Sequence, residues 1–185
     1  NGVFNNGFLA IMLKSRNKAF LEAVENEFRA QIELGTRYIS FDHIDSHVHT
    51  HAITPIFKIA VKLANEYRIP FIRTQYEKPY LTPRVNKLFT IKYPINLIKV
   101  ILLNLFTRIN AKNIIAPLKT NNNIIGVGYT GMMNGETIGY GIKAAKEGII
   151  EIIIHPEPES EESRIVLRDK TAITNYAYLS DRDER

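Results

Sequence analysis

The stretch IIEIIIHP, residues 149–156, is almost uniformly apolar up to His155. A strand with so little polar alternation is typical of a sheet that is covered on both faces, as parallel sheets are. The stretch NIIGVG, residues 123–128, also predicts a strand, and helical patterns separate such segments along the chain. The sequence therefore predicts an α/β fold with a (β/α) barrel-like parallel sheet.

Amphipathic and capping patterns predict the helices between these strands. In the first helix, apolar residues recur at three-to-four spacing and Gly35 supplies the stop. The third predicted helix, residues 94–109, is strongly apolar, but polar residues interrupt it along a rough stripe. This pattern indicates a buried helix rather than a membrane span. The predicted helices are 18–34, one with Thr54 as N-cap and Pro55 at its first position, 94–109, and 134–148 ending near Gly148, while residues 82–89 are predicted to be irregular.

The number of predicted strands limits how much of a barrel this chain forms. An eight-stranded (β/α) barrel typically needs about 250 residues, whereas the chain has 185. We therefore expect a single domain over residues 1–185 whose barrel-like sheet is incomplete. The convincing strands lie near residues 41–48, 71–74, 124–128 and 150–154.

Composition narrows the chemistry that the chain can perform. Cysteine is absent, so any protein-bound metal must use His, Asp or Glu as ligands. The net charge is +5, but Lys and Arg are scattered rather than clustered, which does not favour nucleic-acid binding. No basic segment followed by an apolar run opens the sequence, so there is no signal-peptide pattern and we expect a cytoplasmic protein.

Four of the five histidines lie in one short stretch, FDHIDSHVHTH, at residues 41–51. On a strand, alternate side chains point to the same face. The residues that would share one face are His43, Asp45, His47, His49 and His51. A divalent metal would explain this row, because imidazole and carboxylate groups suit Zn²⁺ and similar ions and a carboxylate can orient a ligand imidazole.

A second interpretation of the row is a strand end exposed to water, where histidines are well solvated. His155 favours a site instead, because it follows an apolar strand and ligands in parallel α/β folds bind at the carboxyl ends of strands. A histidine that merely ends a strand remains the alternative for this residue.

The stretch HIDSHVHTH resembles a motif of the YdjC-like carbohydrate deacetylases, His-hydrophobic-Asp-Ser-His-x-His-x-His. The neighbouring segments agree: ENEFRAQIE resembles the helix before that motif, YRIPFIR the strand after it, and EIIIHP the late His-Pro strand. The resemblance covers residues 18–157 approximately. It implies a hydrolase that removes acetyl groups from N-acetylated sugars with the help of a divalent metal ion, Mg²⁺ or Zn²⁺.

The resemblance also implies roles for particular residues. His47 falls on a metal ligand, and His155 falls on a histidine near the site that acts as an acid or an electrostatic helper. Asp45 is a second catalytic candidate on the same face. His49 and Arg73 are candidates for contacting the substrate, and an ordinary salt bridge is the alternative for Arg73.

Two segments of the family pattern do not occur in this sequence. The family begins with a strand ending in Asp-Asp-Phe-Gly and later has a Gly-x-His segment, which supply a metal ligand, the base and a further ligand. We therefore expect a domain truncated at its N-terminus, with the C-terminus open to the same interpretation, and little or no deacetylation by the chain as given. A non-catalytic metal- or carbohydrate-binding fragment is the alternative function, and a homo-oligomer is left open.

Overall fold

The computed structural model describes residues 7–83 and 92–154. Within these residues the chain forms two compact units. The first unit runs up to Gln75 and includes Leu105–Asn121, and the second comprises Tyr76–Asn104 and the chain from Asn122 onward. The helices are α1 (Phe8–Lys14), α2 (Lys18–Gly35), α3 (Thr54–Glu66), α4 (Lys92–Asn110) and α5 (Gly135–Ala145), the strands are β1 (Asn123–Ile125) and β2 (Ile150–Ile152), and short 3₁₀ segments span His47–Ala52 and Ala111–Asn113.

Helix α2 confirms the predicted helix over residues 18–34. Its N-terminus is capped by Asn17, whose side chain accepts a hydrogen bond from the Phe20 N–H at 3.2 Å. The apolar side of the helix packs against α3 through a cluster that contains buried Val24 and half-buried Phe28. Helix α2 therefore follows from local signals together with a single apolar stripe.

Helix α3 carries much of the core of the first unit. The helix begins one residue earlier than the sequence predicted, because its N-cap is Ile53 rather than Thr54. Pro55 is therefore the second residue of the helix instead of the first. Complete burial of a side chain such as Phe57 or Leu63 contributes about 1.5–3 kcal/mol each to folding, and both are at most 1% exposed. The segment that carries the histidines, His47–Ala52, packs against this helix.

Parallel pairing in the first unit confirms part of the predicted strands. Ile44 forms a parallel bridge with Ile72, and Phe71 forms another with Lys119. The predicted strand at 41–48 is therefore reduced to extended chain around one bridge, and the strand at 71–74 to two bridged residues.

The second unit contains a two-stranded parallel sheet. β1 pairs with β2 in the register Asn123–Ile150 to Ile125–Ile152, and α5 connects the two strands. After β1 the chain turns at Gly126, which has a φ of +127° and lies against the backbone of Ile153. Both strands are shorter than predicted, and the chain has a mixed α/β fold that is mostly helical, with a small parallel sheet.

Helix α4 is buried along one side only, so the prediction of a buried helix holds for half of its surface. One asparagine of the polar stripe, Asn96, is buried and donates to the Thr130 carbonyl at 2.9 Å, and a second, Asn104, is half-buried and donates to the Glu77 carbonyl at 2.8 Å. Ile98 and Ile101, in contrast, are more than 60% exposed. Among the described residues, no helix combines the length and hydrophobicity that crossing a membrane requires.

Candidate active site in the first unit

The row of alternating histidines ends at the turn that follows Ser46. Ser46 is extended, with φ −146° and ψ 150°, but His47–Ala52 form a 3₁₀ segment with a kink. Val48 and His49 have φ values of 50° and 58°, in the left-handed region. Because side chains alternate only along extended backbone, the prediction that all five residues share one strand face is wrong beyond Asp45.

His51 is an internal anchor of this turn. It is fully buried, and its Nε2 lies 2.8 Å from the Arg73 carbonyl oxygen. A carbonyl only accepts, so Nε2 carries a proton, and burial lowers the pKa of His51 so that the ring is neutral near neutral pH. The bare Nδ1 then accepts the hydroxyl of Ser46 at 2.6 Å. The Ser46 oxygen in turn accepts the backbone N–H of His51 at 3.0 Å.

Asp45 and Arg73 form an ion pair beside this anchor. The Asp45 carboxylate is 30% exposed and the Arg73 side chain 12%. Asp45 also lies 3.8 Å from His51 Nδ1. The structure thus brings together two residues that the resemblance assigned to different roles, and the Arg73 guanidinium is directed at the Asp45 carboxylate, as in the salt-bridge alternative.

The three other histidines of the row lie before the kink in the chain or within it. His47 is exposed and lines the same cavity as Asp45, and His49 is half-buried. His43 is exposed and its Nδ1 lies 2.6 Å from the Asp42 carboxylate, which lowers the pKa of Asp42. His43 is therefore a partner of Asp42 rather than of the other row members.

The cavity that Asp45 and His47 line has a volume of about 520 Å³. It lies between α2, α3 and the segment 41–50, within the first unit. Its walls are mostly apolar side chains of the two helices, and its polar groups come from the segment that carries the histidines. A concave apolar site with a few convergent polar groups is the usual form of a small-molecule site.

The donor chemistry here fits a divalent metal, but the number of donors does not. Imidazole from His47 and carboxylate from Asp45 are suitable ligand types. Across residues 7–83 and 92–154, however, no three His, Asp or Glu side chains converge on one position. A catalytic metal commonly has about three protein ligands, so no catalytic step is routed through a metal here. His155, the other catalytic candidate, lies outside the described residues, as does most of the segment 82–89.

The sequence did not single out Ser46 or Glu77. Ser46 is part of the quoted motif, but only the fold shows that its hydroxyl bonds to both the ring and the backbone N–H of His51. Glu77, in the second unit, is 1% exposed and accepts the N–H groups of Gly126 at 3.1 Å and Gly128 at 2.9 Å. Burial raises the pKa of Glu77 to about 7 although those N–H groups act in the opposite direction. No sequence pattern marks a glutamate that will be buried.

Comparisons with known proteins agree with the family resemblance of the sequence. A carbohydrate deacetylase of Geobacillus stearothermophilus is 34% identical over 90 residues, which are 46% of this chain and 36% of that protein. One from Oceanobacillus iheyensis is 45% identical over 51 residues, 27% of this chain and 22% of that protein. One from Brevibacillus brevis is 46% identical over 50 residues, 26% of this chain and 20% of that protein.

The matched stretches thus cover between a fifth and about a third of the length of these relatives. No solved structure gives a significant match. The profile of the family described as YdjC-like protein, in contrast, matches residues 1–184, nearly the whole sequence. The chain therefore belongs to the YdjC-like protein family.

Proposed function

We propose that this chain is a carbohydrate deacetylase, a hydrolase that cleaves the amide bond of N-acetylated sugars. Family membership and the relatives with that name support the reaction class. The observation that carries the proposal in the structure is the position of Asp45 and His47 on one cavity, with Arg73 paired to Asp45. This arrangement places a carboxylate and an exposed imidazole where a small polar substrate can reach them, with the largely buried Arg73 guanidinium behind the carboxylate.

Amide hydrolysis needs a water molecule to lose a proton and the leaving amine to gain one. In this proposal the Asp45 carboxylate accepts the proton that the attacking water loses. Arg73 orients that carboxylate and contacts the sugar. His49 is a second substrate contact. His155 donates the proton to the leaving nitrogen.

A divalent metal, Zn²⁺ or Mg²⁺, belongs to the proposal, with His47 as one ligand. Metal analysis of the purified chain and of His47→Ala tests this assignment. We expect the His47→Ala variant to lose bound metal and His43→Ala, the matched control on the Asp42 side, to retain it; equal metal content in all three proteins would contradict the role of His47.

The proposed reaction is tested by acetate release from chitobiose. Asp45→Asn should lower the rate by about 10²–10⁴-fold, the range for a lost acid–base group, whereas Asp42→Asn should leave the rate unchanged. The wild-type rate itself is expected to be low, because the described residues do not complete a metal site. Release that is insensitive to Asp45→Asn would remove Asp45 from the mechanism.

A second candidate function is binding of carbohydrate without turnover. The incomplete ligand set among the described residues favours it. Isothermal titration with chitobiose separates the two candidates when it is run beside the acetate assay. Binding with no acetate release supports the second candidate. If the chain shows no binding and no acetate release, both candidates are contradicted.

We further propose that the paired segments belong to the incomplete (β/α) barrel-like sheet that the sequence predicted. Each pairing in the described residues is parallel, including the bridge of Ile44 with Ile72 and the pair β1–β2. Parallel strands of this kind occur almost only in α/β folds with covered sheets. A crystal structure would test this proposal, and antiparallel pairing of these segments would contradict it.

A further inference from the structure

Two chain segments of the first unit carry Asp45 and Arg73, and buried His51 is bonded to both of them. Asp45 is followed by Ser46, whose hydroxyl donates to His51 Nδ1 at 2.6 Å. The other nitrogen of the imidazole, Nε2, donates to the Arg73 carbonyl at 2.8 Å. The Arg73 guanidinium returns to the Asp45 carboxylate as an ion pair. These contacts form a closed circuit in which His51 links the two segments.

His51 itself has no access to a substrate. It is 0% exposed and is not among the residues that line the 520 Å³ cavity, whereas Asp45 and Ser46 line it. The Phe57 ring stacks on the imidazole, with 6.4 Å between the ring centroids. His51 can therefore influence a reaction in the cavity only through the residues that it holds in place.

The segment on the far side of the imidazole is fixed by bonds of its own. The Arg73 N–H donates to the Ile44 carbonyl at 3.1 Å, and the Gln75 N–H donates to the Thr107 hydroxyl at 3.1 Å. The Gln75 side-chain amide also lies 3.2 Å from His51 Nε2, and its buried oxygen, which has no partner among the described residues, is a second acceptor for that N–H when it faces the imidazole. His51 thus ties the turn after Asp45 to a segment that other bonds already hold.

We infer that His51 is a positioning residue for the Asp45 carboxylate. The inference rests on the proposed function, in which that carboxylate accepts a proton from the attacking water. A general base works only within hydrogen-bond reach of the proton that it takes, and a misplacement of about 1 Å can cost about 10²-fold in rate. Without the imidazole, the turn that follows Asp45 loses its bond to the Arg73 segment, and the carboxylate is no longer held against the guanidinium.

Two amide substitutions separate the two bonds of His51. Asparagine places an oxygen near the position of Nδ1 but is too short to reach the Arg73 carbonyl, whereas glutamine places an amide N–H near the position of Nε2. In acetate release from chitobiose we expect His51→Asn to lower kcat by about 10²-fold with KM changed by less than about twofold. His51→Gln, which keeps the bond between the segments, should lose less than about tenfold.

Val61→Ala is the matched control for a purely structural role. Val61 is buried in the same unit and does not line the cavity, so its truncation destabilises the fold without opening the circuit. Circular dichroism gives the folded fraction of each variant, and kcat per folded molecule should be that of wild type for Val61→Ala. Equal kcat of wild type and His51→Asn, or an equal loss in Val61→Ala and His51→Asn, would overturn the inference while the proposed function stands.

The NMR signals of the Arg73 guanidinium provide a readout that needs no turnover. Arg73→Lys assigns these signals, and Asp45→Asn shows where they lie without the ion pair. We expect His51→Asn to move them toward the Asp45→Asn positions and His51→Gln to leave them near wild type. Unchanged signals in His51→Asn would overturn the inference whatever the activity. Absence of acetate release by wild type would count against the proposed function instead, and the guanidinium signals then decide alone whether His51 holds the pair.

Discussion

Replacing Glu77 by Gln should change how the stability of the chain depends on pH. The Glu77 carboxyl is buried and its pKa is raised from 4.5 to about 7 in the folded state. The folded state therefore holds a proton that the unfolded state has lost between these two pH values. The stabilisation from this group is full below pH 4.5 and is lost as pH rises through about 7.

The magnitude follows from the difference between the two pKa values. The difference between about 7 and 4.5 is about 2.5, and each unit corresponds to 1.36 kcal/mol, so the loss is about 3 kcal/mol as an order of magnitude. Glutamine keeps the shape of the side chain and has no proton to lose. The stability of wild type relative to Glu77→Gln should therefore fall by about 3 kcal/mol between pH about 4.5 and pH about 8.

Urea denaturation followed by circular dichroism, at a series of pH values, measures this difference. Other titrating groups affect both proteins alike and cancel in the comparison. The opposite trend, with wild type gaining on Glu77→Gln as pH rises, would show that the Gly126 and Gly128 N–H groups outweigh burial and that the carboxylate is the favoured form. A difference that does not vary with pH would refute the linkage altogether.

Three further stability changes can be measured by the same urea assay. Phe57→Ala should destabilise the chain by about 3–5 kcal/mol because Phe57 is 1% exposed, whereas exposed Lys58→Ala should stay within about 0.5 kcal/mol. Ser46→Ala should cost about 1–3 kcal/mol, since it leaves the buried Nδ1 of His51 without a donor; no loss would remove Ser46 from the anchor. Gly126→Ala should destabilise by more than about 1 kcal/mol, because of its positive φ and the nearby Ile153 carbonyl, whereas Gly139→Ala, with open space around it inside α5, should stabilise by about 0.5–1 kcal/mol.

Local sequence patterns were sufficient for the long helices. Helices α2 and α3 follow from three-to-four spacing and from residues at their first turns, since their backbone hydrogen bonds join residues only four apart. Helix α1 was not predicted, because seven residues give too little periodicity to distinguish a helix from an apolar strand. In α4 the pattern identified the helix, but only tertiary contacts decided that Asn96 would be inside and Ile98 outside.

In the candidate site, too, the sequence and the tertiary structure decided different things. The sequence alone indicated the family, because the residue types of HIDSHVHTH and their order carry the resemblance wherever the backbone places them. The tertiary structure alone decided the geometry. Val48 and His49 adopt positive φ, which is rare for a β-branched residue such as Val48, and no sequence signal marks such a turn. The turn is held by buried His51, which bonds to the carbonyl of Arg73, 22 residues later in the chain. A contact over that distance depends on the packing of the whole unit, and periodicity and local propensity carry no information about it.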